Sequence, residues 1–509
     1  MRRRILAVLA SLAFLVAACG GGDDDDGGGG AAEGDGETTE VVIALEAEPR
    51  TLDPQITQDG QMRRVAENIF ERLVDRDLEN PEELVPRLAE SLPENVDETT
   101  WEVQIREGVE FTNGEPFNAD VAAAAILREI DPEYDSELLS QIETITNAEA
   151  VDDTTLRITT AGPDPILPSR LYMIQMVPME YSQEEAFARE PVGTGPYQFV
   201  EWTAGDHITL EKNPDYWGDE PEINRATFRF MPENQTRVAA LQSREVQMAT
   251  GIAPESGGDV PQLITREGLE YSYLRLKNYE GPFQDQLVRE AAAHALNVDS
   301  YIENIFQGNA EPVLCQTNGS AVFGFNPDLE TYGYDPDLSE QLLQEAGYDG
   351  TEVRVIAPTG RWLKYEELAE AIDSDLEAVG LNVNMEMIQF DPWLTEFIQH
   401  PDEGQPDGAL SATSNELLDS DRTSSLVGEN GAVSSNIDPE LEAQLADART
   451  ELDTDTREQM YHDISAEICD KVSNVAILTF QDIYGASEDL VWTPRIDGTA
   501  RVEEMSLGG

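Results

Sequence analysis

Pro191-Val-Gly-Thr-Gly-Pro-Tyr-Gln-Phe-Val-Glu-Trp202, continued by Leu210-Glu-Lys-Asn-Pro-Asp-Tyr-Trp-Gly218, is the stretch from which the rest of the chain can be read. It has the pattern of a compact unit: a Gly-Thr-Gly-Pro turn, a strand over 197–202, a second turn at Gly205-Asp206 and a strand over 207–213. Gly193 and Gly195 suit a tight turn, while Tyr197, Trp202, Tyr216 and Trp217 supply large packing surfaces. The unit is therefore expected to be architectural.

Outward from it, periodicity predicts alternating strands and helices. Upstream lie a short apolar strand at 41–45 and a helix over 61–75, with Met62, Val65, Ile69, Phe70 and Leu73 on one face. An alternating strand covers 99–111, an alanine-rich helix spans 118–130, and a β-branched strand covers 154–160. Downstream, a strand at 226–231 and a helix at 234–246 precede a strand at 271–278 whose start is a candidate hinge. Helices at 285–297, 337–346 and 362–379 then alternate with strands at 351–357 and 381–390, the mark of an α/β lobe. Residues 404–436 read as a long irregular segment. Two helices, 438–452 and 456–471, lead to a strand at 475–480 heading back toward the first lobe. No internal repeat is present.

The amino terminus has a different character. Arg2, Arg3 and Arg4 precede fourteen apolar or small residues, 5–18, a run suited to secretion and short of the about 20 residues that span a bilayer. It ends in Val16-Ala17-Ala18-Cys19, which resembles the lipobox of bacterial lipoproteins, so 1–18 is expected to be a signal peptide and Cys19 the lipidated residue. Residues 19–40 would form a disordered, acidic, glycine-rich tether. No second apolar run is long enough to span a membrane. The formal charge of −70 becomes −73 without the three leader arginines, 29 basic residues against 102 acidic. That balance excludes nucleic acid as a partner. It also suits a salt-rich milieu, where self-repulsion is screened. Cys315 and Cys469 can bridge if their Cα atoms come within about 7 Å, or remain free thiols. Neither belongs to a metal pattern.

Further pieces complete the pattern: Leu52-Asp-Pro54, Ile69-Phe-Glu-Arg-Leu-Val74, Arg106-Glu-Gly-Val-Glu-Phe111, Gly114-Glu-Pro-Phe-Asn-Ala-Asp-Val121, Tyr334-Asp-Pro336 with Glu345-Ala-Gly-Tyr348, and Arg457 with Tyr461. In number, order and spacing they resemble the peptide/nickel class of extracellular solute-binding proteins, family 5, the dipeptide and oligopeptide receptors of ABC importers. The resemblance runs from about Val41 to Ser506. It implies an α/β, two-lobed periplasmic-binding-protein-like fold of the hinge-bending type II, with an extra domain inserted in the first lobe. By analogy lobe I takes 41–75, 191–271 and 482–509, the inserted domain II 76–190, and lobe III 272–481. It implies a monomer that uses no cofactor, takes a small peptide in the interlobe cleft and delivers it to permease subunits on the extracytoplasmic face of the cell membrane, tethered there by lipid.

A closed cleft cannot leave a peptide's ammonium or carboxylate unpaired. A carboxylate should meet the amine, and an arginine fork or a lysine the acid, with backbone amides met as by a neighbouring strand. In peptide-binding relatives an aspartate of the second lobe takes the amine. The matching stretch here is Leu410-Ser-Ala-Thr-Ser-Asn-Glu-Leu-Leu-Asp-Ser-Asp421, which lacks the tryptophan common there. Asp419 is the candidate, Asp421 and Glu416 are its rivals, and Asn415 lies in the same stretch. Arg361, after the Pro358-Thr-Gly360 turn, and Arg422 are candidates for the carboxylate, Trp393 for stacking, and Glu46 for the approach to the cleft from the first strand. An enzyme is not expected: there is no HExxH pair and no G-x-S-x-G elbow, and His207, His294, His400 and His462 lack ligand spacing. A nickel chelate or oligosaccharide as cargo, and a sensory role without transport, stay open on the sequence.

Overall fold

The computed structural model describes residues 39–57, 59–134, 136–399, 404–431 and 433–508. The leader, Cys19, the tether to residue 38 and His400 lie outside the described residues.

The first strand, Glu40–Leu45, carries Val41, Ile43 and Leu45 into a core and pairs in parallel with Arg225–Phe230. It belongs to an eleven-stranded sheet that runs through both lobes. The order is Val383–Gln389, Val353–Thr359, Gly408–Thr413, Gln262–Leu276, Asn474–Ala486, Met248–Ala249, Glu40–Leu45, Arg225–Phe230, His207–Lys212, Tyr197–Thr203, with Ala310–Pro312 also paired to Asn474–Ala486. Among the described residues only the two long strands, Gln262–Leu276 and Asn474–Ala486, take part in both halves. Their antiparallel pairing joins 262–267 to 481–486 in the first lobe and 271–275 to 474–479 in the second, with a register break between Glu267 and Tyr271. A break of this kind bends and twists a strand pair locally. The break falls in the middle of one strand, Gln262–Leu276, and the strand does not start at 271 as its sequence suggests.

The inserted region holds a four-stranded antiparallel sheet, Glu94–Asp97, Thr100–Gln104, Thr155–Thr160 and Ile145–Ala150 in that order. Trp101, Val103, Leu156 and Ile158 point inward from alternate positions. Helix Ala119–Glu129, capped by the Asn118 side chain on the Val121 amide, lies against it. One continuous apolar core joins this sheet to the first lobe, from Val41 through Val103 and Phe228 to Met505, while the second lobe has its own around Leu274, Val355, Ile372 and Leu410.

Two expectations change. The helix expected over 61–75 covers only Gly60–Ala66. It stops because the carbonyls of the next turn are used elsewhere: Tyr197 N–H donates to Asn68 O (3.0 Å) and Gly195 N–H to Ile69 O (2.8 Å). The signature glycines serve this docking and not a special turn. A Cβ on Gly193 would lie 2.0 Å from Ile69 O, and one on Gly195 2.7 Å from it. The irregular segment 404–436 contains a strand, Gly408–Thr413, and a short helix, Ser420–Ser424. That strand, Gly-Ala-Leu-Ser-Ala-Thr, lacks the β-branched run that marks an exposed strand, yet it is held between Gln262–Leu276 and Val353–Thr359 with its side chains buried. Cys315 and Cys469 form a disulfide with Cα atoms 5.0 Å apart, closing a sequence separation of 154 residues.

Candidate functional site

A cavity of about 420 Å³ opens where the two long strands cross between lobes. Its floor is made by the strands themselves: Gly268, Leu269 and Glu270 from one, Phe480 to Tyr484 from the other. Gly268 sits at the register break, where a Cβ would approach Phe480 O to 3.1 Å.

The floor carries two carboxylates. Glu270 accepts a 2.6 Å hydrogen bond from Trp362 Nε1 and has no cation within salt-bridge distance among the described residues. Burial pushes its carboxyl up to about 7; the Trp362 bond and the Arg361 charge oppose that push, and Glu416 and Asp482 add to it. Asp482 is likewise raised by burial, with Arg64 opposing and Glu46 adding.

The first-lobe wall is the short helix Gly60–Ala66, whose Asp59 cap accepts from the Gln61 amide. Arg63 reaches Asp497 at 3.9 Å and Arg64 reaches Glu46 at 3.9 Å, with Gln61 Nε2 donating to Glu46 at 3.4 Å. Burial would raise Asp497, but Arg63, Arg495 and Arg501 outweigh it and hold the carboxyl well below the usual range. Gly251 makes room for Glu46: its φ is +58°, and a Cβ there would lie 1.8 Å from Glu46 Oε1. The second-lobe wall brings Arg361, Trp362, Leu363, Ser414 and Glu416. Arg361 stacks 5.3 Å over Trp362 and 5.6 Å over Phe390, and has no carboxylate within salt-bridge distance among the described residues.

The segment 414–418 also bridges the lobes. Arg76, stacked 4.8 Å over Tyr172, donates to Glu416 O (3.2 Å), Leu417 O (2.8 Å) and Pro81 O (3.0 Å). Leu417 is buried within the first-lobe core, and Leu418 takes a left-handed φ of 50° to let it enter. Lys364 meets Glu255 at 3.3 Å, a second contact between lobes.

Of the sequence candidates, Glu46 and Arg361 line the cavity, as does Glu416. Asp419 does not. Its carboxylate is buried in a two-bond pair with Arg457 (2.7 and 2.6 Å) and caps Ser420–Ser424 through the Asp421 amide. Asp421 is engaged by Arg449 at 3.0 Å. Asn415 donates to Asp419 O and Thr423 Oγ1, bracing the same loop. Trp393 is 1% exposed and stacks on Phe397 at 4.5 Å and on Phe390 at 5.7 Å, a core position. Arg422 lies near Tyr271 and Tyr273, outside the cavity lining. The signature unit stays out of the cavity too: Tyr216 and Trp217 donate to Glu71 at 3.0 and 2.8 Å. The sequence reading missed Glu270, Asp482, Trp362, Arg63 and Arg64. The adjacent arginines were visible in a chain with only 32 basic residues; the two acids, among 102, were not.

Among the described residues no group of three or more His, Cys, Asp and Glu side chains could hold a metal ion, and no helix is long and apolar enough to cross a membrane.

Residues 83–434 match the family model for bacterial extracellular solute-binding proteins, family 5 (middle region). The glutathione-binding protein GsiB of Pectobacterium atrosepticum is 28% identical over 360 residues, 68% of this chain and 68% of that protein. GsiB of Escherichia coli K12 is 31% identical over 321 residues, 61% of this chain; the alignment spans 62% of that protein's length. The crystal structure of the ABC transporter substrate-binding protein CtaP from Listeria monocytogenes superposes with a TM-score of 0.83 at 20% identity, covering 92% of this chain and 99% of that one. With the two-lobed sheet, the paired crossover strands and a charged cavity at their crossing, these matches establish that the chain belongs to the bacterial extracellular solute-binding proteins of family 5, non-enzymatic binding components of ABC importers.

Proposed function

We propose that this chain closes its lobes over a small peptide outside the cell and presents the closed shape to the permease subunits of an importer. The observation carrying the peptide reading is the division of charge in the cleft. Arg361 offers from the second lobe a fork with no salt-bridge partner among the described residues, and Glu46, Glu270 and Asp482 offer acids from the opposite wall and the floor. That set suits a zwitterion, whose two ends need partners of opposite sign once water is excluded. The name of the GsiB relatives, glutathione-binding, points to a peptide-sized zwitterion as well. In this reading the moving bodies are lobe I (41–75, 191–271, 482–509) with its insert (76–190), against lobe III (272–481). Lipidated Cys19 tethers a monomer to the membrane, so Cys19→Ser should release the protein from the membrane fraction. In the same reading the excess of acid suits a salt-rich milieu, so cooperative unfolding should persist in concentrated salt and fade in dilute buffer.

Mass spectrometry of small molecules released on denaturing the purified protein tests the cargo. A melting screen complements it, because bound ligand raises stability by RT ln(1 + [L]/Kd). Peptides of two to five residues should be released and should raise the melting temperature. Release of a sugar or a nickel chelate alone would contradict the peptide reading.

A further inference from the structure

The acids of the cleft are not all accounted for by its arginines. Six carboxylates line it, Glu46, Asp59, Glu270, Glu416, Asp482 and Asp497, against three guanidiniums, Arg63, Arg64 and Arg361. Asp497 and Glu46 are met by Arg63 and Arg64. Asp59 caps a helix, and Glu416 is turned to Ser414 Oγ at 2.5 Å. Glu270 and Asp482 remain. They come from the two different crossover strands and both line the floor of the cavity; burial raises both carboxyls, and the Asp482 charge adds to the push on Glu270. Among the described residues neither has a cation within salt-bridge distance, and two such desolvated carboxylates facing one cavity are unfavourable in an empty closed site and favourable once a cation enters. Arg361 can satisfy one ligand carboxylate, and among the described residues no lysine or histidine lines the cavity to satisfy a second.

We infer that the Glu270–Asp482 pair makes this cleft select ligands of net positive charge, taking an ammonium or guanidinium beyond the one that a simple zwitterion brings. The inference rests on the cleft being the ligand site and names the ligand class for it. The chemistry is shared by a peptide with a basic side chain and by a free polyamine. It disfavours glutathione, which carries two carboxylates and one ammonium and would leave an acid facing Glu270 and Asp482.

The test is titration calorimetry on the folded chain at constant ionic strength. The probes are alanyl-lysyl-alanine, trialanine, alanyl-glutamyl-alanine, glutathione and spermidine. The lysyl peptide should bind at least about tenfold more tightly than trialanine, one charge-assisted contact's worth, and the glutamyl peptide and glutathione more weakly than either. Glu270→Gln with Asp482→Asn should bring the lysyl-to-trialanine ratio toward one. A preference due only to the overall negative field would survive those changes, and that result overturns the inference. Equal affinities across the charge series, or tight glutathione binding, overturns it while leaving the peptide reading intact. Spermidine binding without any peptide binding overturns the peptide reading and leaves the inference standing. No binding by any probe defeats both. If the double variant does not fold, the single changes Glu270→Gln and Asp482→Asn are read in the same way, each lowering the lysyl-to-trialanine ratio if the inference holds and leaving it unchanged if it does not.

Discussion

Arg76, at the start of the insert that shares the first lobe's core, donates a 2.8 Å hydrogen bond to the backbone carbonyl of Leu417 of the second lobe, whose side chain is buried in that core. Burial pulls the guanidinium's pKa below its usual value, and its nearest acceptors include two carbonyls that it meets only while the lobes are together. The same loop puts Ser414 and Glu416 on the cavity. One five-residue segment, 414–418, thus both joins the lobes and lines the cavity between them.

Leu417→Ala should therefore act on binding. The buried area is gained only on closure, so the loss of about 2 kcal/mol for a buried leucine appears as roughly thirtyfold weaker ligand affinity. The melting temperature of the ligand-free protein should change little. Calorimetric titration beside a thermal melt checks this; an equal loss of stability in the ligand-free form would place Leu417 in a permanent core instead.

Gly193→Ala tests the docking of the signature unit. A Cβ 2.0 Å from Ile69 O forces backbone apart and not merely a flexible side chain. Overpacking of this kind costs about 3 kcal/mol or more. Urea unfolding should show that loss, whereas Gly205→Ala, in open space but at a φ of +73°, should cost only about 1 kcal/mol for its backbone strain.

Reduction of Cys315–Cys469, or Cys469→Ser, should lower stability by about 2–5 kcal/mol, because the bridge closes a long loop in the unfolded chain. Denaturant midpoints with and without reductant measure it. Identical midpoints would show the bridge to be without effect on folding.

The pH dependence follows from Glu270. Its folded carboxyl titrates at about 7, above its ordinary 4.5, so between those values the folded chain keeps a proton that the unfolded chain has released. This group's contribution to the stability of the ligand-free protein is present below 4.5 and is lost as pH rises through 7, with Asp482 acting in the same direction. Affinity for the lysyl peptide should move oppositely, rising several-fold from pH 5 to 7.5 as the acids ionise. The groups facing Glu270 are Trp362, Arg361, Glu416 and Asp482. Titrations at the two pH values check the sign, and Glu270→Gln should flatten the rise.

The lobes, the crossing back to the first lobe and the disposition of Glu46 and Arg361 were legible because they follow from motif order and strand–helix alternation. The amine-binding role expected of Asp419 was not settled by its stretch of sequence. Its buried partner, Arg457, sits 38 residues on, in a helix whose arginine and tyrosine had already marked the family pattern. Trp393 carries no local sign that it stacks within a core. Glu270 lay hidden for another reason: what distinguishes it is a register break in a strand pair, a property of two segments more than 200 residues apart. The helix expected over 61–75 failed because tertiary hydrogen bonds to Asn68 and Ile69 overrode a correct apolar spacing.

Small-angle X-ray scattering of the ligand-free chain, before and after saturation with alanyl-lysyl-alanine, tests the central claim of closure about the Glu267–Tyr271 break most directly. The radius of gyration should fall and the profile should approach that of the lobes joined through Arg76 and Leu417. An unchanged profile in the presence of a ligand shown by calorimetry to be bound would contradict it.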